Sequence, residues 1–401
     1  MTKKLTEFLE HYITKKSLFT NKKSLQSNYT PKTAPYRGEQ INQLAGILAP
    51  SLRMEKPSNV FIYGKTGSGK TLVARYVSQG IMKVAQKNSK HVVIIYLNCK
   101  LKRVADTEYR LIAQVARELG EDIPPTGLPT DEVYKIFVRL LNKKQQVLII
   151  ILDEIDQLVH KIGDDILYNL TRLSSELHGS EISFIGISND LMFIDNVDPR
   201  VKSSLSEEEM VFPAYNAVQL EKILRQRVGL AFHDGVVGEG VVEKCAAYAA
   251  REHGDARRAL ELMRVAGEIA ERKNQEKVIV EDIDFAEEKI EKDRIIDSVS
   301  MQPKQFKLTL YSILTVCKGL ERGVFTGDVY EVYRKYCTSC GITPLTQRRL
   351  GDIIAELDML GVINAKVISK GRYGRTREIS LTLPVPTIAT ITTLLQEGLG
   401  L

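Results

Sequence analysis

The chain begins its first domain with short apolar runs that are separated by longer segments of helical periodicity. The four runs cover residues 60–63, 92–97, 147–152 and 182–187. Several are apolar at consecutive positions, which is typical of strands buried on both faces of a parallel sheet. Alternating strands and helices of this kind predict a three-layer α/β domain.

The pattern changes after Phe212-Pro213, where the strand signals stop. Apolar spacing then predicts a small all-helical domain with helices at 217–231, 240–252, 255–273 and 281–292. A break at about 298–303 precedes three further helices and two β-rich stretches. These elements are predicted at about 304–320, 326–340, 345–360, 362–368 and 377–383. Three helices followed by a β-hairpin predict a winged helix-turn-helix.

The ends of the chain carry the basic charge. Residues 1–37 hold eight Lys and Arg against Glu7 and Glu10, a surplus equal to the net charge of +6 of the whole chain. Residues 366–377 hold five basic residues and no acid. Basic segments on both sides of a nearly neutral middle favour contact with a polyanion. For the first segment, a solvated basic arm is the alternative.

A glycine-rich segment between the first strand and the next helix carries the clearest chemistry. Backbone N–H groups of such a loop surround a β-phosphate, and the helix N-terminus favours the negative charge. We expect its lysine at the β- and γ-phosphates and its last hydroxyl on Mg²⁺. The predicted cofactor-binding residues of this segment are Gly64, Lys65, Thr66, Gly67, Ser68, Gly69, Lys70, Thr71 and Leu72.

Two later strands end in polar residues that suit nucleotide hydrolysis. The third strand ends in Asp153-Glu154, a Walker B element in which Asp153 would hold Mg²⁺ through water and Glu154 would polarise the attacking water. Alone, an apolar run with an acidic end is more often structural, and the phosphate loop upstream favours the functional interpretation. After the fourth strand, Asn189 can orient the hydrolytic water, with an Asn-Asp turn as the alternative.

Two arginines are candidates for sensing the phosphates. Arg200, in Asp198-Pro199-Arg200, can reach a nucleotide held by a neighbouring subunit, as an arginine finger does. Arg257, in the helical domain, can fold onto the phosphates and report the nucleotide state. Whether Arg200 acts in trans is left open by the sequence.

Taken in chain order, these features resemble the archaeal replication-initiator family of AAA+ ATPases. That family is similar to the eukaryotic origin recognition complex subunit one and to cell-division-cycle protein six. The resemblance extends from Leu18-Phe19 to about Leu383. It implies an α/β fold: an AAA+ P-loop core with a parallel sheet, an all-helical lid and a C-terminal winged-helix domain. The expected segments are a basic arm (1–28), the core (29–213), the lid (214–295), the winged helix (296–386) and a tail or short helix (387–401).

The resemblance also implies contacts with the base and with DNA. It places adenine contacts near Tyr36 and Arg37, and it assigns a DNA-touching helical insertion to about 101–115. Lys102, Arg103 and Arg110 fit that insertion, although a solvated helix face would look the same. One departure is Ser204, where eukaryotic relatives often have a second arginine, which puts assembly-dependent hydrolysis in doubt.

The winged helix offers its own candidate DNA contacts. The third helix would be the recognition helix, whose first residues face the major groove, while Leu350, Ile353, Ile354 and Leu357 form its buried face. The wing would contact the DNA backbone or minor groove. The predicted DNA-binding residues here are Thr346, Gln347, Arg348, Arg349, Lys370, Arg372, Tyr373 and Arg375. Winged helices also bind proteins, which is the alternative.

Composition adds limits. The chain has no apolar run long enough to span a membrane, and the first residues lack the apolar core of a secretory signal. Five cysteines without a disulfide spacing favour a reducing compartment. The pair Cys337 and Cys340 lacks a second pair of metal ligands, so a structural role is favoured over zinc. We expect a cytoplasmic, nucleoid-associated protein without membrane partners.

The function implied by the resemblance is a switch between ATP and ADP on DNA. The chain would bind double-stranded origin DNA, act as a slow Mg²⁺-dependent ATPase and help load the replicative minichromosome maintenance helicase, with a paralogous initiator as a further partner. A DNA-binding transcription regulator with an ATPase gate uses the same parts. A clamp-loader-like subunit is the third alternative, and the terminal winged helix argues against it. The origin sequence and the oligomeric state stay open.

Overall fold

The computed structural model of the chain separates into two units, Met1–Ile283 and Asp284–Leu401. Residues 16–26, 29–31, 33–100, 107–124, 127–205, 207–319, 324–369 and 375–401 are the ones that the structure describes. Each unit has its own buried apolar core. Among the described residues, none of the helices is both long enough and apolar enough to cross a bilayer.

A five-stranded parallel sheet with the order β2-β3-β4-β1-β5 is the centre of the first unit. Its strands are β1 (Val60–Gly64), β2 (Val92–Asn98), β3 (Val147–Asp153), β4 (Glu181–Ser188) and β5 (Glu208–Phe212). Every residue of β3 is buried, as its unbroken apolar run predicts. The four predicted strands are confirmed.

The edge strand β5 is not predicted by the apolar pattern. It carries Glu208 and Glu209 and is buried only at alternate positions towards its end, at Met210 and Phe212. Because β5 lies at an edge of the sheet, with one neighbour and a partly solvated face, its sequence needs no continuous apolar run.

Helices cover the sheet and then form the lid. Those of the core are α1 (Gly38–Leu48), α2 (Lys70–Lys87), α3 (Glu108–Glu118), α4 (Thr130–Asn142), α5 (Ile155–Ile162), α6 (Asp165–Arg172) and α7 (Pro199–Leu205). Those of the lid are α8 (Ala217–Ala231), α9 (Val241–Arg251) and α10 (Ala256–Arg272). Helix α1 ends at Leu48, and the chain continues as a 3-10 turn that contains Pro50, because proline cannot supply the next helical N–H.

The described part of the N-terminal arm packs on the lid. Leu18 and Phe19 are buried, and the Phe19 ring lies 4.5 Å from that of Phe232 at the end of α8. The backbone N–H of Thr20 donates to the Ala231 carbonyl at 2.8 Å. Lys22 pairs with Glu268 of α10 at 2.7 Å. Residues 17–25 therefore form a strap that packs on the lid. The burial of Leu18 and Phe19 determines the position of this segment, although its sequence is basic.

The second unit contains the predicted three helices and hairpin. After α11 (Val280–Ser300), which runs across the division between the units, its elements are α12 (Lys304–Gly319), β6 (Val324–Phe325), α13 (Thr326–Ser339), α14 (Gln347–Met359), β7 (Ile363–Ser369), β8 (Arg375–Leu381) and α15 (Val385–Leu399). The three strands form an antiparallel sheet in the order β6-β8-β7. This is a winged helix-turn-helix, and the predicted fold class is confirmed.

The last segment, left unplaced by its sequence, is the helix α15. Its Ile391 and Leu395 are fully buried in the core of the second unit, and Gln396 donates to the Tyr311 hydroxyl at 3.0 Å. The segment is thus part of the folded unit rather than a free tail. Helix α11 likewise extends to Ser300, beyond the end predicted at 292.

Candidate functional site

The phosphate loop connects β1 to α2 at the carboxyl edge of the sheet. Gly67 and Gly69 have φ values of +73° and +91°, a region that side chains disfavour. A Cβ atom on Gly67 would lie 1.7 Å from the Asp255 carboxylate, and one on Gly69 would lie 2.8 Å from the Tyr215 hydroxyl. Glycine is therefore required here both by the backbone and by the close approach of Tyr215 and Asp255.

Lys70, the first residue of α2, is held against the loop. Its Nζ donates to the carbonyls of Gly64 at 2.6 Å and Lys65 at 3.0 Å, and to Asn189 Oδ1 at 2.9 Å. Burial lowers the pKa of Lys70 to about 8, against the opposing effect of Asp153. An anionic ligand stabilises the charged form of a lysine whose pKa is lowered by burial.

The Walker B carboxylate is joined to the loop by a hydroxyl. Thr71 Oγ1 donates to Asp153 Oδ2 at 2.8 Å, and the Tyr96 hydroxyl donates to the same oxygen at 2.5 Å. Thr71 and Asp153, the two predicted metal residues, are thus neighbours. No motif in the sequence singles out Tyr96.

Glu154 and Asn189 lie at the tips of adjacent strands. Glu154 directly follows β3 in the left-handed backbone region, with φ +57°, a conformation that costs about 1–3 kcal/mol and is concentrated at functional sites. Asn189 follows β4 and reaches Lys70. Beside it, the Ser188 hydroxyl donates to Asp156 at 2.9 Å and accepts from the Asp190 N–H at 3.0 Å. These bonds fix the turn that presents Asn189.

These residues suit a phosphate and a divalent cation. Within the described part of the chain, the Ser68 hydroxyl is buried in the loop and has no hydrogen-bond partner, and such an atom is costly unless a ligand or water satisfies it. Lys70 supplies a positive charge, and Thr71 and Asp153 supply oxygen donors of the kind that Mg²⁺ prefers. The donor set therefore fits the predicted nucleotide and Mg²⁺.

The lid contributes residues directly above the loop. Asp255 caps α10, accepting the Arg257 N–H at 2.7 Å, and Lys65 Nζ lies 3.3 Å from His253 Nδ1. The exposed Arg257 is close enough for its charge to help lower the pKa of Lys70. Arg257 thus lies near Lys70 of the phosphate loop. Asp255, which contacts the loop itself, is missed by sequence reasoning because helix caps and ligand contacts share the same residue types.

Tyr36 and Arg37 have different environments. Arg37 is buried, and its guanidinium donates to the Ser68 carbonyl at 2.9 Å and to the Pro213 carbonyl at 2.5 Å. It also lies 4.0 Å from the Tyr215 ring centroid. Arg37 therefore fastens the loop to the junction between core and lid. Tyr36, by contrast, is 40% exposed and has a φ of +61°.

Arg200 lies on α7 and is engaged within its own segment. It donates two side-chain hydrogen bonds to Asp198, at 3.0 and 2.9 Å, and its guanidinium lies 4.9 Å from the Tyr168 ring centroid. The hydrogen bonds from Arg200 lower the pKa of Asp198 to about 2. None of these three contacts joins Arg200 to the phosphate loop of its own chain.

The predicted DNA-binding side chains of α14 lie together at its N-terminus. Thr346 caps the helix by accepting the Arg349 N–H at 3.3 Å, and Gln347, Arg348 and Arg349 are exposed. On the opposite face, Leu350, Ile353, Ile354 and Leu357 are buried, which confirms the predicted orientation of the helix.

Several other predicted contacts cannot be placed in the same way. Lys102 and Arg103 in the insertion, and Lys370, Arg372 and Tyr373 in the wing, lie outside the described residues. Arg375 begins β8, and its side chain is outside the description. Arg110 lies on the half-buried side of α3, and that helix buries other residues in the core of the first unit.

The surroundings of Cys337 and Cys340 suit a structural role. Cys337 is fully buried in the core of the second unit, and burial raises its pKa. Cys340 lies near the carbonyl of Leu399, at 3.8 Å. A buried, protonated thiol packs as a small apolar side chain.

Comparison with known proteins gives three family matches and close relatives. A CDC6 C-terminal winged-helix model matches residues 297–390, a Cdc6 AAA+ ATPase-type lid model matches 221–288, and an AAA domain model matches 53–191. The ORC1-type DNA replication protein 1 of Methanosarcina acetivorans is 52% identical over 383 residues, covering 95% of this chain and 92% of the relative. The corresponding protein of Pyrococcus furiosus is 50% identical over 384 residues, with coverages of 95% and 91%.

Solved structures agree on the fold. The Aeropyrum pernix ORC1 protein, solved in complex with DNA, aligns with a TM-score of 0.81 and 44% identity over 96% of this chain and 98% of that one. Cdc6p from Pyrobaculum aerophilum aligns with a TM-score of 0.59 and 22% identity, covering 96% of this chain and all of that one, a likeness of fold alone.

Proposed function

Because the chain belongs to the Cdc6/ORC1-type family of DNA replication proteins, which contains an AAA+ ATPase domain, we propose that it is an initiator switched between ATP and ADP. It recognises double-stranded origin DNA and helps load the replicative minichromosome maintenance helicase. The observation that best supports a nucleotide switch is that four side chains lie together at one edge of the sheet. They are Lys70, Thr71, Asp153 and Asn189.

The loop and its neighbours bind and orient the nucleotide. Backbone N–H groups of residues 64–71 and the N-terminus of α2 receive the phosphates. Lys70 exchanges its carbonyl partners for phosphate oxygens, and the Ser68 hydroxyl gains a partner. Thr71 and Asp153 would hold Mg²⁺, which would neutralise phosphate charge.

Glu154 and Asn189 divide the work on the attacking water. Glu154 accepts a proton from the attacking water, and Asn189 orients that water towards the γ-phosphate. The Lys100 ammonium lies 3.9 Å from the Glu154 carboxylate. Turnover is slow, since the role is to hold one state and not to drive a motor.

The lid reads the nucleotide state through Arg257. A γ-phosphate beside Lys70 attracts the nearby Arg257, whose own charge disfavours the charged form of Lys70. The close contact between Asp255 and Gly67 passes any shift of the loop to the N-terminus of α10. Nucleotide exchange therefore biases the position of the lid. Arg200 of a neighbouring subunit is proposed to complete the site only in an assembly.

DNA is bound by the N-terminus of α14, with the insertion and the wing as further contacts. The exposed Gln347, Arg348 and Arg349 suit bases and phosphates, and the 44% identical Aeropyrum pernix protein was solved with DNA. Phosphate contacts supply most of the affinity. Association with the nucleoid follows from this binding, and a paralogous initiator is a further proposed partner.

Chromatin immunoprecipitation mapped against the positions where replication starts tests the proposal. We expect occupancy at those positions and nuclease protection of the same DNA in vitro. Occupancy and protection confined to promoters elsewhere would exclude the origin role and favour a transcription regulator.

A further inference from the structure

The hydrogen bonds around Asp153 include one donor that belongs to neither the phosphate loop nor the Walker B element. Oδ2 accepts the hydroxyls of Thr71, at 2.8 Å, and Tyr96, at 2.5 Å. Oδ1 accepts the Glu154 backbone N–H at 3.1 Å. A carboxylate has about four lone-pair positions, so the donors among the described residues fill three of them and leave one, on Oδ1.

The fold places Tyr96 for this contact. Strand β2 pairs with β3 in a register that aligns Tyr96 with Ile151 and Asn98 with Asp153, so Tyr96 and Asp153 project from the same face of the sheet. The guanidinium of Arg75 on α2 lies 4.0 Å from the Tyr96 ring centroid. The ring is thus held between helix and sheet, and its hydroxyl is fixed in direction.

We propose that Tyr96 is a positioning residue for the Mg²⁺ site, and this inference rests on the proposed nucleotide-binding function. The side-chain torsion of an aspartate about its carboxyl group has no sharp preference, so hydrogen bonds must set the plane of the carboxylate. Tyr96 holds Oδ2 on one side while Thr71 approaches from the loop. The remaining lone pair of Asp153, on Oδ1, is then held in one direction, from which Asp153 would support Mg²⁺ together with Thr71.

Removing the hydroxyl alone isolates this effect. Tyr96→Phe keeps the ring under Arg75 and deletes the bond to Asp153. Because partners of metal-coordinating groups contribute about 10- to 100-fold to metal affinity, we expect the Mg²⁺ concentration for half-maximal tightening of nucleotide binding to rise about tenfold. The measurement is a titration of a fluorescent ADP analogue at a series of Mg²⁺ concentrations and in excess chelator.

A matched control is Tyr134→Phe. The Tyr134 hydroxyl also donates to a carboxylate, that of Glu108, at 2.6 Å, but the two residues lie on α4 and α3, which are not part of the nucleotide site. This variant should leave the Mg²⁺ requirement unchanged. Tyr96→Phe should match the wild type in chelator, where no metal contributes.

Two results would overturn the inference. One is a Mg²⁺ requirement of Tyr96→Phe within about twofold of that of the wild type. The other is an equal loss of affinity with and without Mg²⁺, which would make Tyr96 a general structural residue. Failure of the wild type itself to bind ADP would instead refute the proposed function.

Discussion

The phosphate loop of the first unit and the N-terminus of α14 in the second unit present basic side chains in opposite ways. Lys70 is only 5% exposed and bonds two loop carbonyls and Asn189. Arg349 has a 60% exposed side chain and a marginal 3.5 Å contact to Asp352. The first site is enclosed by strands, a helix and the lid, whereas the second is a surface supported by a buried face. A single substitution at the first site should therefore cause a large loss of nucleotide binding or hydrolysis. A single substitution at the second site should reduce DNA affinity only in part.

The largest expected effect is on hydrolysis. Glu154→Gln removes the proton acceptor while keeping the size of the side chain, so ATP turnover should fall by about 10²–10⁴-fold while ATP stays bound. Single-turnover phosphate release and retention of labelled ATP measure both quantities. Unchanged turnover would show that Glu154 is not the general base. It would also contradict the expectation that single substitutions at the phosphate-loop site have the larger effects.

Lys70→Ala should weaken nucleotide binding by roughly 100-fold, since charge-assisted hydrogen bonds to phosphate contribute about 1.5–3 kcal/mol each. Calorimetric titration with ADP measures the loss, and Lys83→Ala, exposed on the same helix, is the control. DNA affinity should be retained, because the proposed DNA contacts do not involve the loop. Parallel loss of DNA binding would mean that the two sites are not separable.

At α14, the expected changes are smaller and additive. Arg348→Ala and Arg349→Ala should each reduce DNA affinity by about tenfold. Each arginine that binds a phosphate should also, when replaced, make the slope of log affinity against log salt shallower by about 0.9. Fluorescence anisotropy at several salt concentrations provides both values. Arg294→Ala removes an equal charge from α11, where Arg294 is 73% exposed, and should change neither. Complete loss of DNA binding from one substitution would contradict the additive description.

The smallest effect is expected in the N-terminal strap. Lys22→Ala removes the ion pair with Glu268, which is partly exposed and contributes at most about 1 kcal/mol. Its DNA affinity and salt slope should match the wild type, although it lowers the net charge as much as Arg348→Ala does. A tenfold loss of DNA binding would instead favour the interpretation of this segment as a polyanion-binding arm.

Local pattern is sufficient for much of this molecule. The unbroken apolar run of β3 predicts a central strand, the glycines between β1 and α2 predict the loop, and Leu350, Ile353, Ile354 and Leu357 give the inner face of α14. Each signal lies within one element. By contrast, β5 escapes prediction because an edge strand needs no continuous apolar run, and α15 because its burial depends on the core that it meets.

By itself, the sequence determined the order of most elements and supplied the candidate phosphate-loop and Walker B residues, since both follow from periodicity and short spacing. Only the tertiary structure decided which distant residues surround them. Tyr96 contacts Asp153 on the neighbouring strand, and Asp255 of the lid lies against Gly67 of the loop. Residues 17–25 pack on α8 and α10. Such contacts depend on strand register and helix packing, and a linear pattern carries neither.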